Sequence, residues 1–292
     1  MSTSAVRRTG RAPSRRRTRP ATRPAGVLVA IALVVIALIC FFPLVWMVWS
    51  SFKDNAAIFR TPFALPTSID FSQWVRAWEV GNIGRYALNS VITTGTSVLA
   101  ILVISSAAAY AFSRFRFAGR GLLLGIISLG LILPVQSYFI AQSTMFRDLL
   151  ITDTRFALII PYTAMGLPLA TFLLKVFLDD LPPELFEAAR IDGAGEFRMF
   201  RMIALPLLRP GLATVAIFSA LNTWNEFLLA LLYIQDDALK TIPTGLLAFS
   251  SRYVTDYGLL FSALSMVTLP LVVIYIVFNR QVTEGITAGS LK

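Results

Sequence analysis

Six apolar stretches, each long enough to cross a membrane, govern what this 292-residue chain can fold into. They run over 25–49, 87–112, 121–142, 156–178, 211–234 and 258–279. A helix needs about 20 mostly apolar residues to span the hydrocarbon core of a bilayer. In lipid every backbone N–H and C=O must be satisfied within the protein, which leaves helices and closed barrels. Barrel strands would alternate in polarity over about ten residues, and these runs are continuous. The expected fold is an all-α membrane protein with six transmembrane helices. Short polar segments separate most of the runs, so no large soluble domain fits between them.

Charge sets the expected orientation. The chain carries a net charge of +10, with 14% charged residues against the quarter usual in soluble domains. Eight arginines fall in the first 23 residues, directly before the first run. With the N-terminus inside, 18 of the 26 Lys and Arg lie on the cytoplasmic side. That matches the positive-inside bias, and the basic tail can also attract anionic lipid headgroups. This placement, next to a membrane span, argues against nucleic acid as a partner. Residues 1–24, rich in Arg, Pro, Ser and Thr, read as a disordered cytoplasmic tail. Residues 25–292 read as one six-helix permease-like domain with both termini in the cytoplasm. The first run is too long for a usual export signal and lacks a clear cleavage site. Cys40 is the only cysteine, so no intramolecular disulfide is possible.

Familiar catalytic chemistry is missing. The sequence has no histidine, which removes Ser-His-Asp catalysis and most zinc sites. It has no Walker phosphate loop, and no pair of acids within the apolar runs. No metal site, cofactor or enzymatic activity is expected of this chain.

Polar interruptions are then the informative residues. Between the fourth and fifth runs lies 182–206, opening Pro182-Pro183-Glu184 and continuing Glu187-Ala188-Ala189-Arg190-Ile191-Asp192-Gly193. Pro182-Pro183 can start a helix, and Glu184 and Glu187 then sit at its positive end. Asp192-Gly193 is a turn dipeptide in which Gly supplies positive φ. Leu185, Ala188 and Ala189 make a small-sided patch that lets a partner approach the backbone. Phe197, Phe200 and Ala204 form an amphipathic stripe, and Pro206 is expected to stop that helix.

The segment has the form E-A-A-x-x-x-G, nine residues, then I-x-L-P, completed by Ile203, Leu205 and Pro206. It resembles the cytoplasmic EAA loop of the membrane-spanning subunits of ABC importers. The resemblance implies that Glu187, Ala188, Ala189, Asp192, Gly193, Ile203, Leu205 and Pro206 couple the chain to a separate ATPase. Asn222-Thr-Trp-Asn-Glu-Phe227, Thr241-Ile-Pro-Thr-Gly-Leu246 and the terminal Gly285-Ile-Thr-Ala-Gly-Ser-Leu-Lys292 narrow it further. In this order they are similar to carbohydrate-type permeases related to the second, smaller maltose permease.

That resemblance implies an assembly in the cytoplasmic (inner) membrane. A second homologous permease would complete a heterodimer. Two copies of a cytoplasmic ATPase would bind ATP and Mg, and an extracytoplasmic solute-binding protein would deliver the sugar. The loop 235–257, with Pro243, Gly245 and Tyr253, would reach that binding protein, and 285–292 would lie along the ATPases. An EAA-containing permease for a polyamine or phosphate ester is the alternative. An ion-coupled secondary transporter is a different class, disfavoured by the absence of internal repeats.

Glu226 is the only acid well inside a run, where a charge costs about 2.5–3.5 kcal/mol on insertion scales. Such residues face a bundle interior or a water-filled path, or act as interhelical glue. Packing is the favoured reading. Asn89, Gln136, Asn222 and Asn225 carry the same pair of alternatives. Trp74 and Trp78, four residues apart, are expected to share an interfacial face.

Overall fold

The computed structural model describes residues 24–249 and 255–288, and among these the chain is helical with no β-strand. It divides into two compact units, Met1–Trp46 and Met47–Lys292. The described part of the first unit belongs to α1 (Pro24–Ser50), and Gly26 through Val45 are all exposed, Cys40 included. The expected tail falls almost wholly outside the described residues.

The second unit continues through α2 (Asn55–Arg60), α3 (Ser72–Val80), α4 (Ile83–Arg114), α5 (Arg120–Ile132), α6 (Phe139–Asp148) and α7 (Phe156–Asp179). The loop between the fourth and fifth runs contributes α8 (Glu184–Ile191), α9 (Glu196–Met199) and α10 (Leu205–Leu207). Then come α11 (Arg209–Trp224), α12 (Leu228–Tyr233), α13 (Ile242–Gly245) and α14 (Tyr257–Ala288). Among the described residues, three helices are long and apolar enough to cross a membrane: Gly26–Ser50, Ile83–Arg114 and Phe156–Asp179. Glu196–Leu207 with Arg209–Trp224 adds a fourth if that pair, bent by 72°, counts as one span. Arg120–Ile132 and Tyr257–Val273 are shorter apolar helices.

Two of the six apolar runs are therefore broken. The third ends as a helix at Ile132, because Pro134 offers no N–H and pushes Leu133 into extended backbone. A single 3₁₀ turn, Val135–Ser137, leads into α6. The fifth run stops at Trp224 and resumes at Leu228, leaving Asn225, Glu226 and Phe227 between the two pieces.

α4 packs most extensively on α7 and next on α11, while α11 also meets α14 and α5 lies on α7. Membrane helices gain little from the hydrophobic effect against one another, so close approach through small residues matters. Buried Thr93, Thr94, Ser97, Ser105, Ser106 and Ala109 serve this on α4. Thr96, on the same helix, is exposed. On α3 the two tryptophans part company. Trp74 stacks on Phe52 at 5.6 Å and donates its indole N–H to Ser51 Oγ at 3.1 Å. Trp78 remains half exposed, so only it suits an interfacial role.

Candidate functional site

The loop 182–206 is two short helical arms about a bend. α8 opens at Glu184, with Glu184 and Glu187 in its first turn, where acids are favoured. Gly193 takes φ +78°, and the Ala194 N–H reaches back to Ala189 O at 2.9 Å, closing the arm. Past the bend, α9 passes into a π turn over Phe200–Ala204, where the Leu205 N–H bonds Phe200 O. Pro206 does not stop the helix as expected. It lies within α10, and the wider turn just before it accommodates a residue with no N–H. The chain changes direction at Leu208 instead.

Each arm turns one edge inward. Phe186, Met199, Ala204 and Leu208 are buried together with Tyr110 and Leu174, Leu178 of α7. The expected stripe is shifted, since Phe197 is 76% exposed and Met199 takes the inward position. Leu185, Glu187, Ala188, Ile191, Asp192 and Gly193 are exposed, and Ala189 is half-buried. Ile203 and Leu205 are half-buried and Pro206 is exposed. Arg190 pairs with Glu196 across the bend at 2.8 Å, which holds the guanidinium above its ordinary pKa. Arg114 lies 3.8 Å over the Phe186 ring and donates to Leu178 O at 2.8 Å.

A cleft of about 620 Å³ lies among α4, α5, α7 and α11, lined mostly by apolar side chains. Asn222 and Glu226 line it, with Tyr162, Thr214, Ser219 and Thr223. Glu226 Oε2 accepts from Tyr162 Oη at 2.7 Å, and its two oxygens accept the Leu229 and Ala230 N–H groups at 2.9 and 3.2 Å. It thus satisfies the first turn of α12 while facing the cleft. Asn222 and Asn225 are exposed and donate to carbonyls one turn back, Phe218 and Leu221. Asn225 is not among the cleft-lining residues, and Gln136 is exposed elsewhere, beside the α5–α6 break.

Asn89 is buried and committed away from the cleft, as the packing alternative has it. Its amide donates to Ala238 O and Lys240 O at 2.8 and 3.0 Å, and its oxygen accepts from Arg155 at 3.2 Å. Nearby, Tyr86 Oη donates to Asp237 at 2.9 Å and Ser90 Oγ accepts the Ile242 N–H at 2.9 Å. Hydrogen bonds from Lys240 and then Tyr86 hold the Asp237 carboxyl below the usual carboxylate range. Asp153 accepts the Gln235 and Asp236 N–H groups. The segment 235–245 is therefore fastened down, and Thr241-Ile242-Pro243-Thr244-Gly245 is largely buried. Gly245 packs flush against the Tyr86 ring, so it cannot meet a partner in this arrangement. Pro243 is half-buried, and Tyr253 lies outside the described residues. Tyr86, Tyr110, Tyr162, Asp153 and Arg155 carry these contacts without any local sequence signal, because their partners lie 64 or more positions away.

Fold and site together define a multi-pass helical membrane protein with a bent helical loop that leaves apolar side chains uncovered. Residues 100–285 match the binding-protein-dependent transport system inner membrane component family, and the chain belongs to that family. It is 36% identical over 262 residues to the diacetylchitobiose uptake system permease protein NgcG of Streptomyces coelicolor, covering 89% of this chain and 87% of that protein. It is 34% identical over 270 residues to the trehalose/maltose transport system permease protein MalG of Thermococcus litoralis, covering 91% and 96%. It is 31% identical over 269 residues to the arabinooligosaccharides transport system permease protein AraQ of Halalkalibacterium halodurans, covering 91% and 96%. Its fold matches a chain of a bacterial ABC transporter involved in the import of the acidic polysaccharide alginate. That match has a TM-score of 0.79 at 22% identity, over 90% of this chain and 98% of that one.

Proposed function

We propose that this chain is one of two different permeases of an ABC importer for carbohydrates, driven through 182–206 by separate ATPase subunits. The observation that carries the reading is the uncovered apolar edge of the bent loop. Leu185, Ile191, Phe197 and Met202 are 44, 86, 76 and 63% exposed around a glycine bend and an exposed Glu187. Exposed apolar groups on a short loop between two apolar runs suit an interaction surface. In this reading two cytoplasmic ATPases bind ATP and Mg and seat the loop through Glu187, Ala188 and Ala189. The bend at Gly193 passes their closure to α11. A solute-binding protein docks on the opposite face, on the loop 235–257, of which 237–242 is anchored to α4. In this reading all six apolar runs cross the membrane with both termini inside, and the loop lies in the cytoplasm. Asn222 and Glu226 face the translocation path through the cleft, where amide and carboxyl groups suit sugar hydroxyls.

The sugar class rests on the relatives, several of which are oligosaccharide permeases by name. The test is uptake into proteoliposomes holding the whole transporter. Glu187→Ala and Gly193→Pro should each depress uptake while membrane insertion stays intact. Normal uptake by both, at normal expression, would remove the coupling role. A panel of diacetylchitobiose, maltose, trehalose and arabinooligosaccharides tests the substrate, and transport of only a polyamine or a phosphate ester would overturn the carbohydrate reading.

A further inference from the structure

Tyr110 of α4 engages both arms of the bent loop. Its ring sits 6.3 Å from that of Phe186 on α8 and 5.2 Å from that of Phe200 beyond the bend. Its hydroxyl donates to Glu196 Oε2 at 3.0 Å, and the other oxygen of Glu196 takes Arg190 at 2.8 Å. The residue is 5% exposed. Ring packing alone lets surfaces slide, whereas a hydrogen bond from a buried phenol is directional and fixes register.

α4 then runs unbroken, without an internal proline, from Ile83 to Arg114. Twenty-four residues before Tyr110, about 36 Å along the axis at ~1.5 Å per residue, Tyr86, Asn89 and Ser90 hold the segment 237–242. One rigid helix is thus fastened at one end to the bent loop and at the other to the segment 237–242. Tyr86 and Tyr110 hold it there by the same device, a phenol donating to a carboxyl group.

We infer that Tyr110 and Glu196 are positioning residues for transport: their hydrogen bond clamps the bent loop to α4, so that the loop and 237–242 move as one body. The inference rests on reading 182–206 as the coupling loop. It predicts that losing the bond uncouples the two ends without unfolding either, because Tyr110→Phe keeps the ring and its packing.

The test uses the complete transporter in proteoliposomes, with its binding protein loaded from the same panel of sugars. The readout is the number of sugars taken up per ATP hydrolysed, which a merely destabilised protein would not change. Tyr110→Phe and Glu196→Ala should each lower that ratio about two- to fivefold, the scale of one hydrogen bond to a partly exposed acceptor. The double variant should be no worse than either single variant, and Glu196→Gln, which keeps an acceptor, should restore most of the ratio. An unchanged ratio in Tyr110→Phe and Glu196→Ala, or losses that simply multiply, would overturn the clamp. Glu187→Ala in the same assay separates the two readings: if it too transports normally, the coupling loop fails and the clamp with it. If Glu187→Ala fails while both clamp variants are normal, only the clamp is lost.

Discussion

Gly245 is where a single methyl group should be felt most strongly. A Cβ built there would fall 2.0 Å from Tyr86 Cδ2, 2.4 Å from Cε2 and 2.8 Å from Cγ. Carbon atoms settle at about 3.5–4.0 Å, so the ring must retreat by roughly 1.5 Å. It has little room, being 2% exposed, and its hydroxyl is bound to Asp237 at 2.9 Å. Overpacking of this kind costs about 1–3 kcal/mol. If the retreat also breaks the bond to Asp237, a further ~1 kcal/mol is lost, at the low end because Asp237 is largely exposed. Gly245→Ala should therefore destabilise the solubilised complex by about 2–4 kcal/mol. Unfolding in mixed micelles measures this, with the Tyr86→Ala background as the decisive control. Tyr86→Ala alone removes a buried ring and is costly, yet it empties the space the new methyl needs. Adding Gly245→Ala to it should then cost almost nothing, giving a coupling energy of about 2 kcal/mol or more between the two sites. Additive losses, or a Gly245→Ala protein as stable as the parent, would show that the glycine is not there to admit the ring.

Other outcomes follow from the same geometry. Gly193→Ala meets no neighbouring atom within 4 Å, so its cost is the left-handed backbone alone, about 1–2 kcal/mol, read as a small loss of thermal stability. Gly193→Pro cannot adopt φ +78° and should lose far more. Glu226→Ala strips the acceptor from Tyr162 and from two N–H groups of α12. It should lower stability by about 2 kcal/mol or more, and Glu226→Gln by less, in the same unfolding assay. Asp237 has a folded pKa below its unfolded one, so its contribution is full above about pH 4 and fades as pH falls through the lowered value. Asp237→Asn should flatten the acid limb of a stability–pH curve and leave the neutral limb parallel to the parent's.

Local signals were legible. Apolar runs announced helices, and Asp192-Gly193 announced a bend that Gly193 makes with φ +78°. Each is decided by a few neighbouring residues. What the residue pattern misjudged was which way side chains turn. A stripe at i, i+3 and i+7 assumes an unbroken α-helix, and the π turn over Phe200–Ala204 shifts the phase, which puts Met199 inside and Phe197 out. Trp74 and Trp78 looked equivalent by spacing, but Ser51 and Phe52 lie beside only one of them. Pairings such as Tyr110 with Glu196 or Arg155 with Asn89 join residues 86 and 66 positions apart, and nothing in one sequence couples them.

Glu226 shows how the two kinds of information combine. From sequence, an acid inside an apolar run is a cost awaiting a reason, and both a path and a packing role supply one. The structure ties the acid to the interruption itself. When α11 ends at Trp224 and α12 restarts at Leu228, the new helix start presents N–H groups with no partner in their own helix. In lipid each would cost several kcal/mol if left so. Glu226 takes two of them, and a third donor, Tyr162 from α7, fixes its orientation. The polar residue and the broken helix therefore require each other. A run of apolar residues in its place would favour one continuous helix and close the wall of the cleft that Asn222 and Glu226 now line.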